Sequence, residues 1–449
     1  MTLNFNHRDT NTRFSDYLEN GRFDAYTGSP IINGAETRSR YIHTDSNGVV
    51  WEIWLEGTGL ASGGDVETVR FFVNGTQTLS INSTTGSIDT IANFEAALNT
   101  VFTTGNLADL YLLFVNDAHN HSGGIGRDMA FGSNFSDDIR MGTGGDDIFG
   151  SLGDDWIRGE SGEDTVIYAS RALPGVSVEA RLDIGRTNFS NGDMDRLFDI
   201  ENLVGTDLDD FLRGDGGDNA LSGASGDDTI RGGGGNDFIV GGNGSDLLKG
   251  EAGDDTIMVS GDDSVPSGAP YTDYVYGGDG DDRIFGHDSS IAIVYAGAGA
   301  DFFEGFSQDD RFFGGDGADN AMGYDGEDVL LGEGGDDWLY GKGGDDRIEG
   351  GSGDDFMEGG EGSDTYTGGE GVDTFILQFF DDGIDDRDVI TDFELGVDRI
   401  LIDFSEVSIK EIRSAANPAN TIVDFDSGDQ LVIQGVAAWE ITESDFAMI

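Results

Sequence analysis

The sequence predicts a mainly β protein whose greater part is a solenoid of short stacked strands. The first observation behind this is a repeat. From Gly314 to Ile376 the chain reads as seven consecutive nine-residue units, the last three being GGSGDDFME, GGEGSDTYT and GGEGVDTFI. Such a fixed period names an architecture before any strand is assigned. The second observation is the content of each unit. Glycine stands at the first, second and fourth places, where a turn needs positive φ or close backbone approach, and aspartate stands at the sixth. The last three places read as a strand whose eighth side chain faces inward. Leu330, Leu339, Ile348, Met357, Tyr366 and Phe375 keep that place at nine-residue intervals, which an acidic linker has no reason to do. One inward residue per unit cannot form a core, so neighbouring turns must stack.

The third observation is charge. There are 88 Asp and Glu against 24 Lys and Arg, a net −64 over 449 residues, with 73 glycines. Self-repulsion on that scale opposes collapse, yet 37% of the residues are apolar and 10% aromatic, enough for cores. The two facts reconcile if cations neutralise the acids. Calcium fits, because it takes about six to eight oxygens, and carboxylates with turn carbonyls supply them. Roughly fifteen to twenty such ions would cancel about 30 to 40 charges. A polyanion is a poor partner for nucleic acid or an anionic membrane. The absence of cysteine excludes disulfides and thiolate metal sites. No apolar run reaches transmembrane length, Leu110 to Val115 being among the longest. The opening MTLNFNHRDTNTRF lacks a basic region and apolar stretch, so an export address is expected elsewhere.

In chain order, residues 1–131 read as a small α+β or β-rich domain. Val49, Trp51, Ile53 and Leu55 alternate with Glu52 and Glu56, as in a half-buried strand. Val69 to Val73 and Thr76 to Ile81 flank Asn74-Gly75, a two-residue hairpin signal. Ser87 is placed to cap a helix with the face Ile88, Ile91, Phe94, Leu98 and Val101, and Leu110 to Val115 follows as a buried strand. Neither HExxH nor GxSxG occurs. His119 and His121 form a His-x-His that on a strand would face one side and, with Asp117, suit a transition metal; the alternative is a polar loop. No catalytic residue is assigned.

A first array spans 132–167, with Asp146, Asp155 and Asp164 at the sixth place. Residues 168–204 interrupt it, and Val176, Val178, Leu182, Leu197 and Ile200 mark this spacer as packed. The second array, 205–258, carries Asp228, Asp237, Asp246 and Asp255, while Asp210 and Asn219 hold weaker places. Residues 259–276 contain two prolines and read as a surface loop. The third array, 277–376, carries Asp282, Asp301, Asp319, Asp328, Asp337, Asp346, Asp355, Asp364 and Asp373. The tail, 377–449, has two segments, Asp388 to Ile402 and Thr421 to Ile433, that each read as strand, turn, strand.

The repeat resembles the calcium-binding nonapeptide of RTX (hemolysin-type) proteins. The resemblance covers about 132–449 and implies a parallel β-roll, each unit giving a six-residue calcium-binding turn and a three-residue strand. It implies that the sixth-place aspartates named above bind calcium, with residues eighteen apart lying above one another. Asp337 would then pair with Asp355, Asp346 with Asp364 and Asp355 with Asp373 around shared ions. The tail resembles the uncleaved carboxy-terminal region of type I secretion substrates, and would also cover the open end of the roll. The implied protein is extracellular, exported from a Gram-negative cell and folded there by calcium. Residues 1–131 are expected to present a non-catalytic binding or matrix surface, for instance toward a glycan. The alternatives are an unrecognised enzyme in that region, or a calcium-structured surface-layer component.

Overall fold

A computed structural model describes residues 31–32, 38–44, 50–57, 66–73, 76–83, 119–122, 127, 129–132, 134–169, 173, 175–260, 271–378, 386–402, 408–442 and 446–448. Among them the structure is β throughout, apart from one 3-10 turn at Leu182–Ile184. The chain forms two compact units, Met1–Asp215 and Gly216–Ile449.

The first unit opens with an antiparallel meander of Arg38–Thr44, Val50–Gly57, Val66–Val73 and Thr76–Ser83. Val73 sits opposite Thr76, so the two strands expected to flank Asn74-Gly75 do pair, while those two residues lie outside the described ones. His119–Ser122 forms a strand rather than a polar loop. It pairs antiparallel with Thr76–Ser83 and parallel with Asp138–Arg140. The helix expected after Ser87 and the strand Leu110 to Val115 lie outside the described residues.

From there the coils alternate between two parallel ladders. Asp138–Arg140 pairs with Trp156–Arg158, and Asp147–Phe149 with Thr165–Ile167, eighteen residues apart in each case. In the spacer, other strands take the place of regular coils. Val178–Arg181, Arg186–Phe189 and Met194–Phe198 form an antiparallel meander. Its last strand lies parallel to Trp156–Arg158 and its first parallel to Phe211–Arg213, so it stays within one ladder. Val176, Val178, Leu182, Leu197 and Ile200 are all buried.

The second unit repeats this geometry with longer strands. Trp338–Gly343, for example, spans six residues instead of three. The ladder runs past the ninth place into the next turn: Leu330 pairs with Ile348 and Glu333 with Gly351. Hydrogen bonding thus rounds the corner of each coil instead of stopping there. The eighth-place side chains, among them Leu221, Ile239, Val275, Phe312, Leu339 and Met357, are 1% exposed or less. Each contributes about 1.5–3 kcal/mol by burial. On the outer faces, Tyr276, Tyr295 and Phe313 stack at 5.1 and 4.8 Å, and Trp338 stacks on Phe356 at 4.6 Å. Cross-strand pairs of this kind add about 0.2–1 kcal/mol each.

Two expectations need correction. The loop read over 259–276 ends earlier, because Tyr271–Asp279 is a nine-residue strand beside Leu247–Ala252. The two tail segments also differ in topology. Arg387–Ile390 and Arg399–Ile402 extend opposite ladders, beside Thr365–Glu370 and Thr374–Leu377, so the first segment is one more coil. Thr421–Phe425 and Gln430–Ile433 form an antiparallel hairpin, and the latter strand then lies parallel to Arg387–Ile390.

Candidate metal centre

The sixth-place aspartates of both units lie at the turns; Asp210 is 5% exposed and the others named above 2% or less. One oxygen of each carboxylate has a fixed task. Asp355 Oδ1 accepts the backbone N–H of Asp337 at 2.9 Å, Asp364 Oδ1 that of Asp346 at 2.9 Å, and Asp373 Oδ1 that of Asp355 at 3.1 Å. Residues eighteen apart are thus joined by a direct side-chain-to-backbone bond, in the register expected of a pair that shares an ion. The carbonyl of the same residue accepts the seventh-place N–H of the next coil, as in Phe356 to Asp337 at 2.8 Å.

The second oxygen has a different environment. Oδ2 of Asp164, Asp255, Asp282, Asp301, Asp319, Asp328, Asp337, Asp346 and Asp355 is buried and receives no hydrogen bond. An unmet buried carboxylate oxygen costs several kcal/mol unless a proton or a cation meets it. Burial accordingly raises these groups, Asp355 to about 7 and Asp346 to about 8, with neighbouring acids in adjacent coils adding to the rise. A backbone oxygen from the next coil approaches the same spot. A Cβ placed on Gly332 would lie 2.1 Å from Asp337 Oδ2 and 2.6 Å from the Gly350 carbonyl oxygen. The first-place glycine is thus required by close approach. The fourth place is required by conformation as well: Gly344 has φ of 122°, and a Cβ there would lie 1.8 Å from the Gly326 carbonyl oxygen.

Among the described residues no three acidic or histidine side chains converge as a metal cluster. A cation here must draw much of its coordination from backbone carbonyls. Such an all-oxygen set suits calcium, which accepts flexible geometry, and not a soft metal. The residues present therefore fit the ion that their spacing implies.

Sequence reasoning missed two groups. The first comprises acids outside regular units that take the same stacking role. Asp195 accepts from Asp155 N–H, Asp273 from Asp246, Asp388 from Asp364 and Asp398 from Asp373. Their spacings of 40, 27, 24 and 25 residues hid them. The second is a ladder at the fifth place running the other way. Asp336 Oδ1 accepts the N–H of Asp354, and Asp354 Oδ1 that of Val372. Asp345 and Asp309 do the same for Ser363 and Glu327. The recurring Asp-Asp dipeptide was the available signal. His119 and His121 occupy a strand, and Asp117 lies outside the described residues.

Fold and site together define a parallel β-roll whose turns gather buried, cation-seeking carboxylates. The RTX calcium-binding nonapeptide repeat matches residues 142–170, 204–239, 231–265, 267–290, 292–321, 313–348, 322–357 and 340–375. The chain carries RTX calcium-binding nonapeptide repeats in multiple copies, and calcium is the cofactor that such repeats bind. No curated protein matches it. Similar solved structures include the AlgE6R3 subunit from the Azotobacter vinelandii mannuronan C5-epimerase, 22% identical with a TM-score of 0.20, covering 31% of this chain and 78% of that one. Another is the extracellular lipase LipA from Serratia marcescens, 14% identical with a TM-score of 0.23, covering 94% of this chain and 84% of that one. Among the described residues no helix is long and apolar enough to cross a membrane.

Proposed function

We propose that this chain is exported unfolded and folds on calcium outside the cell, where it presents residues 1–131 as a non-catalytic binding or matrix surface. The observation that carries the calcium step is the row of buried Oδ2 atoms that receive no hydrogen bond, from Asp301 to Asp355. Sixth-place aspartates with a donorless second oxygen, such as Asp337, Asp346 and Asp355, hold the ions, each bound among carboxylate and carbonyl oxygens at the turns. Where free calcium is about ten times Kd, each site adds roughly 1.4 kcal/mol. A dozen or so sites together exceed the usual domain stability of about 5 to 15 kcal/mol. Inside a cell, with free calcium far below Kd, the net charge of −64 keeps the chain open for a narrow channel. The type I apparatus is the proposed partner for export, on the resemblance of the tail, and a glycan or other cell-surface ligand is the proposed partner of residues 1–131.

The test is circular dichroism of the full chain with chelator and with millimolar calcium. Little β signal in chelator and a cooperative rise with calcium are expected. Magnesium should substitute poorly, because it demands a tight octahedron and keeps its waters. Full β content in chelator would refute the reading. Export is tested separately by deleting residues 377–449, which should abolish secretion.

A further inference from the structure

Not every sixth-place carboxylate offers its second oxygen to a cation. At Asp155, Oδ2 accepts a hydrogen bond from Ser151 Oγ at 3.1 Å, and Ser151 is fully buried. Gly150 is the first-place glycine of that unit. A Cβ on it would lie 2.4 Å from the ring of Tyr168, so an aromatic ring, not a carboxylate, fills the space beneath it. The Tyr168 hydroxyl goes on to donate to Thr187 Oγ1 at 2.8 Å and meets Asp195 Oδ2 at 3.2 Å.

The second unit has a counterpart near the end of its last array. Tyr366 is 1% exposed, and its hydroxyl accepts the Gly359 N–H at 2.9 Å and lies 3.5 Å from Asp364 Oδ2. Gly359 is the first-place glycine of the Asp364 unit. A Cβ there would meet Asp364 Oδ2 at 1.9 Å and the tyrosine oxygen at 2.4 Å. The hydroxyl therefore occupies the spot where a carbonyl stands beside Asp337. Neither Asp155 nor Asp364 has a donorless Oδ2, whereas Asp337, Asp346 and Asp355 do.

We propose that Tyr168 with Ser151, and Tyr366, are stops for calcium: their hydroxyls and rings close the turns at Asp155 and Asp364, which carry no ion of their own. This rests on the reading above that the other sixth-place aspartates bind calcium. A hydroxyl supplies the positive end of a dipole to the carboxylate at no cost in ion entropy, so in the folded roll these turns need no ion of their own. Both stops fall where the repeat meets a different structure, the spacer after Ile167 and the tail after Ile376.

The experiment counts calcium bound to the full chain by equilibrium dialysis and native mass spectrometry. Asp346→Asn should lose an ion relative to the unaltered protein. Asp364→Asn and Asp155→Asn keep the Oδ1 acceptor and should lose none. Tyr366→Phe removes the hydroxyl and should gain one ion, which keeps the idea testable if either Asn variant misfolds. Loss of an ion from Asp364→Asn, or an unchanged count in Tyr366→Phe, would overturn the proposal. If Asp346→Asn also loses nothing, the calcium reading itself fails and the proposal falls with it.

Discussion

At the scale of single residues, the glycine places of one unit carry different burdens, and substitution should separate them. Gly343, at the third place, lacks positive φ, and a Cβ on it would meet nothing closer than 3.6 Å. Gly344 combines left-handed φ with a backbone oxygen at 1.8 Å. Left-handed backbone alone costs an L-residue about 1–2 kcal/mol. Gly343→Ala should leave the calcium midpoint for folding within about twofold, by the same logic that makes ordinary contacts cheap. Gly344→Ala should raise it several-fold in a calcium titration followed by circular dichroism. The aspartates give a pH prediction. Burial lifts Asp355 and Asp346 from an ordinary value of 3.8 to about 7 and about 8. A carboxyl raised in the folded state favours folding while protonated, and that support is lost as the pH rises from about 4 through 7 to 8. The metal-free protein should therefore show more β structure at pH 5 than at pH 8. The difference should persist in about 1 M salt, which screens the net charge but not the burial term.

At the scale of elements, the regular coils were legible because period, glycine and inward residue all agreed, as at Leu339 and Ile348. The six-residue strands were not, since their outer halves are glycine-rich turns that pair only once neighbouring coils are in place. Asp273 was hidden because its strand follows prolines and lies 27 residues from its partner's place. In the tail, two segments with the same strand–turn–strand pattern adopt different topologies. Eight residues separate Ile390 from Arg399, enough to cross between ladders, whereas Phe425 and Gln430 are joined by a tight turn closed by Phe425 N–H to the Asp429 carbonyl. The crossing segment carries Asp392, which accepts the N–H groups of Gly368 and Gly369 at 2.9 and 3.0 Å. Asp392→Ala should cost about 1–3 kcal/mol by orphaning those donors, read as a higher calcium midpoint. Deleting 377–449 should raise it further, because Tyr366 and Phe375 lose the strands that pair with theirs.

At the scale of the molecule, the second unit is close to one-dimensional, each coil contacting chiefly its neighbours. Stability in such a structure is a sum of coil and interface terms, so a lesion inside an array harms two interfaces and one at its end harms one. Asp355→Ala removes the carboxylate that accepts the Asp337 N–H, while its own backbone N–H still donates to Asp373 Oδ1. It should raise the calcium midpoint more than Asn219→Ala, which brings no charge to its turn. Equal midpoints for the two variants would refute the stacked pairing.

The two aspartate ladders give the roll a polarity. Sixth-place carboxylates reach toward the preceding coil, as Asp355 does to Asp337, and fifth-place carboxylates reach toward the following one, as Asp336 does to Asp354. A roll cut at any coil would therefore expose two unlike faces, like the barbed and pointed ends of a filament. The face toward the carboxyl terminus offers sixth-place amide hydrogens and needs acids to receive them; Asp388 and Asp398 are those acids, and Asp392 takes the first- and second-place amides of Gly368 and Gly369. The opposite face offers sixth-place carboxylates and fifth-place amides, the reverse assignment. Two arrays excised from this chain and mixed in calcium should then join only head to tail.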